Sequence, residues 1–86
     1  MAYAVDWSPS AKRVVERLFQ TAVDRDSILL AMWAIEASLR DDPNSVGESR
    51  PFDQRITYSS PLGVLFEVDE PRSKVKITSA WAIRRP

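Results

Sequence analysis

The stretch LGVLFEVDEPRSKVKITSAWAI, residues 62–83, constrains the fold more than any other part of the chain. Leu62, Val64, Phe66 and Val68 fall on every second position of its first run. Val75, Ile77, Trp81 and Ile83 share one phase of its second run. Apolar residues at period two predict strands with one face buried. The polar EPRS between the runs is turn chemistry, and so short a link joins strands only in antiparallel fashion. Upstream, DQRITYS reads as a third strand, with Ile56 and Tyr58 on one face and Arg55 and Thr57 on the other. A three-strand meander of this kind leaves one apolar face that something else must cover.

The first half of the chain supplies the cover. Residues 2–7, AYAVDW, read as a strand. Ser8 then caps a helix whose first position is Pro9, where the missing N–H costs nothing. Val14, Val15, Leu18, Phe19, Ala22 and Val23 recur at helical spacing, with Lys12, Arg13, Glu16 and Arg17 off that stripe. The acidic DRDS link breaks the pattern, and Asp24 or Asp26 caps a second helix that turns Ile28, Met32, Ile35 and Leu39 toward the same core. Pro43 ends it by disfavouring helical geometry at Asp42. Trp33 lies off that stripe, a candidate contact for a partner chain. Residues 44–53 read as a loop. The expected architecture is a single α+β domain over residues 1–86 in the order β-α-α-β-β-β. A helical hairpin lies on one face of the sheet, and a right-handed crossover places the first strand parallel to its neighbour.

Composition narrows the chemistry. The chain has 86 residues with no cysteine and no histidine. Disulfides, thiolate catalysis, a serine–histidine triad and the commonest metal ligand are excluded, so neither a metal site nor a cofactor is expected. Any acid–base work falls to carboxylates, Tyr, Lys or Arg. No apolar run approaches the ~18 residues of a membrane span. The start, MAYAVDWSPS, lacks the basic-then-apolar pattern of a secretory leader, so a cytoplasmic protein is expected. Formal net charge is zero, and the asymmetry between halves is mild, −2 for residues 1–42 and +2 for residues 43–86. A dedicated nucleic-acid binder carries a stronger basic excess.

In element order, lengths and texture the chain resembles the RelE/ParE superfamily, the toxin halves of bacterial toxin–antitoxin pairs. The resemblance spans nearly the whole chain. Its most telling pieces are WAIEASLRDDPNSVGES, leading from a helix into a loop, and PLGVLFEVDEPRSKVKITSAWAIRR, which is similar to the family's final hairpin with its basic end. The resemblance implies a type II toxin that inhibits growth, either by ribosome-dependent cleavage of messenger RNA or by inhibition of DNA gyrase. It also implies a cognate antitoxin as partner. The other reading is a domain that keeps the fold, binds protein and has no toxin activity.

RelE-like ribonucleases work without His or metal, using cations fixed on the sheet to stabilise charge on the attacked phosphate. By resemblance, Arg84 takes the place of the last strand's functional arginine, with Arg85 beside it. The arginine of the preceding strand would fall at Gly63 or Val64, and Tyr58 is the tyrosine on the sheet that stands in for a late one. The candidate catalytic residues are therefore Arg55, Tyr58 and Arg84. Lys74, Lys76 and Arg85 are the candidate nucleic-acid contacts. Strand alternation puts Lys74, Lys76 and Arg84 on one face, opposite Val75, Ile77, Trp81 and Ile83. Each has a plainer role open to it: solvated charge for the arginines, protection of a strand edge for the lysines, core packing for Trp81.

Overall fold

The computed structural model describes residues 2–83, so Arg84 and Arg85 lie outside the described residues. Eight short elements follow in order. Strand β1 (Ala4–Trp7) leads into helices α1 (Pro9–Thr21) and α2 (Arg25–Asp41). A 3-10 turn at Pro43–Ser45 comes next, followed by strands β2 (Glu48–Arg50), β3 (Gln54–Ser59), β4 (Leu62–Asp69) and β5 (Lys74–Ala82). The strands form one sheet in the order β1-β5-β4-β3-β2. The pairs β2–β3, β3–β4 and β4–β5 are antiparallel, and β1 runs parallel to β5, as the crossover through two helices requires. The α+β architecture with its meander and helical hairpin is the one the apolar patterning predicts. The addition is β2, a three-residue edge strand inside the stretch expected to be loop. Its residues are all exposed, so no alternation announced it.

Local chemistry fixes the helix ends. The Ser8 hydroxyl accepts from the Ala11 N–H at 3.2 Å and Pro9 occupies the first turn of α1. Asp24 accepts from the Ser27 N–H at 3.3 Å to start α2. Asp42, just before Pro43, leaves helical geometry at φ −152°.

Both helices pack on the same face of the sheet, α1 over β5 and α2 across β1, β3 and β4. The core between them holds Ala11, Val15, Ile28, Ala31, Ile35 and Leu39 from the helices, and Leu62, Val64, Phe66, Val75, Ile77 and Ala80 from the sheet. Two helical expectations shift by a position. In α2 it is Ala31 that is buried beside Ile28 and Ile35, while Met32 is half-buried at the margin. Val23 lies past the end of α1 and is fully exposed, because the chain has already left the helix at Ala22.

The first strand is tied down at both ends. The Trp7 indole N–H donates to Glu36 of α2 at 2.9 Å. The Tyr3 phenol donates to both carboxylate oxygens of Glu70 at 3.0 and 2.9 Å, and Asn44 donates to the same carboxylate. The bond to Glu70 favours the neutral phenol and raises the Tyr3 pKa above its ordinary 10.0.

One irregularity reorganises the sheet. Leu65 pairs with Ser79 but Phe66 pairs with Ile77, so Thr78 is an extra residue in β5. This is a β-bulge, and beyond it the side-chain alternation changes phase. The hydroxyl and the carbonyl of the extra residue are both paired. The Thr78 hydroxyl donates to the Leu65 carbonyl at 3.3 Å, and the Thr78 carbonyl accepts from the hydroxyls of Ser8 and Ser10 at 3.2 and 3.3 Å. The start of α1 thus holds the bulge in place.

Candidate functional site

Of the candidates, Tyr58, Lys74 and Lys76 stand on the face of the sheet away from the helices. Directly opposed residues share a face, so the register alone assigns each one. Asp6, Lys76, Glu67 and Gln54 form one row across β1, β5, β4 and β3. Lys74 and Asp69 stand in the next row toward the β4–β5 turn, where Arg72 approaches Asp69 at 3.9 Å. Ser79, Leu65 and Ile56 form a row beyond the bulge, followed by Trp81, Gly63 and Tyr58.

This open face has two halves of different character. Toward the β4–β5 turn it is charged but compensated. Lys76 is flanked by Asp6 on one side and Glu67 on the other, and Lys74 is opposed by Asp69. Cross-strand neighbours of opposite sign at ~5 Å cancel much of each other's field. Toward the other end the face is apolar and aromatic, with Ile56, Leu65, Tyr58 and Trp81.

Trp81 is a correction to the sequence reading. Val75 and Ile77 face the helices as expected, but the extra residue at Thr78 moves Ala80 into the core and turns Trp81 outward. Its indole lies across β4 on top of Gly63. A methyl group on Gly63 would sit 2.5 Å from Nε1 and 2.6 Å from Cε2. Tyr58 stands against it edge-on, with ring centroids 6.4 Å apart and planes at 79°. Tyr58 is 55% exposed. The pair makes a floor and a wall that suit a flat or apolar group. Gly63→Ala should lift the indole from the strand at a cost of about 1–3 kcal/mol, as overpacking does. Near-UV circular dichroism and thermal denaturation read this directly. Unaltered spectra and stability would mean that the indole does not rest on Gly63.

Arg55 is placed apart from the other candidates. It is opposed by Phe66, which is fully buried, so its side chain leaves the sheet on the helix side. There its Nε donates to the Val46 carbonyl at 3.0 Å and its Nη2 to the Gly47 carbonyl at 3.2 Å. It fastens the loop before β2 to β3. Arg55 and Tyr58 stand on opposite faces and do not meet. The structure brings together Lys74 and Lys76, and separately Tyr58 and Trp81. Trp33, on the outer side of α2, is 59% exposed. Among the described residues, no group of His, Cys, Asp or Glu side chains is arranged to hold a metal ion, and no helix is long and apolar enough to cross a membrane.

No protein-family model matches the sequence, and no curated protein sequence does. Solved structures do match the fold. The toxin–antitoxin complex RelBE2 from Mycobacterium tuberculosis contains a chain that superposes with a TM-score of 0.78 at 15% identity, over 95% of this chain and 92% of that one. A chain of the chromosomal ParDE toxin–antitoxin system of Pseudomonas aeruginosa gives 0.71 at 13% identity, over 96% and 98%. TrmO from Pseudomonas aeruginosa gives 0.62 at 22% identity, with 94% of this chain matching 36% of that one. The fold is the one found in the RelE/ParE toxin structures.

Proposed function

We propose that this chain is the toxin member of a type II toxin–antitoxin pair, and that it inhibits growth by occupying a protein target, DNA gyrase in the ParE manner, rather than by cutting messenger RNA. The fold likeness to chains of RelBE2 and ParDE runs nearly end to end, which supports the toxin reading. Fold alone does not decide chemistry. The observation that carries the choice of target is the disposition of the cations. Cleavage of a phosphodiester by fixed charge needs cations converging on one phosphate. Here Arg55 is committed to two loop carbonyls on the helix side, and Lys74 and Lys76 are interleaved with Asp6, Glu67 and Asp69. An aromatic floor and wall beside a compensated charged strip suits a protein surface. Messenger RNA cleavage on the ribosome remains the role for a site built around Arg84 and Arg85. The partner is a cognate antitoxin that orders a segment as it covers this surface.

Induced expression in bacteria tests the reading. The expected result is growth arrest with loss of plasmid supercoiling, relieved when the neighbouring gene is co-expressed. New messenger RNA ends within codons and unchanged supercoiling would instead assign ribonuclease activity. Normal growth with soluble protein verified in the cell would overturn the toxin reading and leave a protein-binding domain without toxicity.

A further inference from the structure

Helix α2 carries more apolar surface than the domain buries. Residues 28–35, ILLAMWAI, are eight consecutive apolar positions, and a helix that is apolar on all sides is normally covered on all sides. Ile28, Ala31, Ile35 and Leu39 face the core. On the opposite side, Asp26, Leu30, Trp33, Ala37 and Arg40 form a second stripe, and every one of them is exposed. Leu30 and Trp33 are 61% and 59% exposed. The spacing of this outer stripe alternates between four and three residues, the pattern of a helix–helix seam. Leu29 and Met32 extend its apolar surface into a cleft against Val15 and Phe19 of α1.

The charges at the ends of the seam say what covers it. Asp26 closes the stripe at the N-terminal end and Arg40 at the C-terminal end, and Trp33 lies midway between them. Arg25, beside Asp26, is turned to α1 instead, its guanidinium 5.6 Å from the centre of the Phe19 ring. We propose that the outer face of α2 is the interface of a two-fold homodimer, in which α2 packs antiparallel on the α2 of a second copy with Trp33 near the axis. In that arrangement each Asp26 meets an Arg40 of the other copy, while Leu30 lies against Ala37. A parallel arrangement would set Asp26 against Asp26 and Arg40 against Arg40, which is repulsive. Self-complementarity about a two-fold axis is what an isologous contact requires. Arg40 already approaches Glu36 of its own helix at 3.5 Å, but that contact uses one guanidinium nitrogen of a half-exposed side chain and leaves donors for a second partner. The dimer does not depend on the toxin reading, since it leaves the open face of the sheet uncovered.

Sedimentation velocity on the purified chain, over roughly 1–100 μM, is the test. The wild type should be mainly dimeric in the upper part of that range. Trp33→Lys should be monomeric with an unchanged far-UV spectrum. Asp26→Arg and Arg40→Asp should each weaken dimerisation about tenfold or more, because each replaces two attractive end contacts by repulsive ones. The double variant should regain wild-type association to within about threefold. A wild type that stays monomeric throughout overturns the proposal, and so does a double variant no better than the singles. Protection of Trp33 only when a different protein is added would assign the seam to that protein and equally overturn it.

Discussion

Replacing Phe66 by alanine should remove about 3–5 kcal/mol of stability, the range for truncating a fully buried phenylalanine. Phe66 has no exposed surface and lies in the middle of β4, opposed by Ile77 of β5 on one side and Arg55 of β3 on the other. Helices and strands converge on the same core, so the cavity has no flexible wall able to collapse into it. A domain of this length holds only about 5–10 kcal/mol in all. The variant should therefore be largely unfolded at 37 °C, and urea denaturation at lower temperature should measure the loss. Phe66→Leu, expected to cost about 1–2 kcal/mol, keeps the comparison measurable if the alanine variant does not fold. A loss below ~1 kcal/mol for the alanine variant would refute the placement of β4 at the centre of the core.

Gly47→Ala should be the most damaging change outside that core, at about 3 kcal/mol. Gly47 has φ +71°, the left-handed region that disfavours a side chain. A methyl group there would lie 1.9 Å from the Ile56 carbonyl oxygen. The loop must move, and with it go the pairing of Glu48 with Ile56 and the bond from Arg55 to the Gly47 carbonyl. The damage should stay local. Amide exchange should accelerate in β2 and β3 while β4 and β5 remain protected. Arg55→Ala releases the same loop from its other anchor, so it should destabilise the same amides, which a purely ligand-binding arginine would not do. Uniform loss of protection across the sheet would contradict this.

The residues that could be placed from the sequence are those whose surroundings repeat. Leu62, Val64, Phe66 and Val68 alternate without interruption, and all sit on the helix side of the sheet. Ser8–Pro9 and Asp42–Pro43 mark helix boundaries because they act on their own backbone. Arg55 was harder to place. Alternation separates it from Ile56 and Tyr58. Taking that pair as the covered face puts Arg55 on the open side, whereas β3 turns it toward the helices, to carbonyls of a loop whose path depends on a left-handed glycine. Trp81 went to the wrong face because strict period two was carried through a bulge. The signal was present: Thr78 and Ser79 are two polar residues in succession where the pattern demands one, and Ala80 rather than Ser79 then resumes the buried series. The outer stripe of α2 was visible only as a single off-stripe tryptophan. Its meaning depends on knowing which side of the helix the sheet takes.

Thr78 also decides what the end of the last strand displays. Alternation along β5 is counted from the β4–β5 turn, so whatever follows Thr78 is displayed or concealed according to whether that one residue is present. Removing its codon would send Trp81 inward and Ala80 outward without altering any other amino acid. The half of the strand before it, with Val75 and Ile77, would keep its packing. The last strand thus contains a parity selector: a change in length, rather than a substitution, decides whether the indole is displayed. A chain lacking Thr78 would have to fit that indole where the core now holds only the methyl group of Ala80.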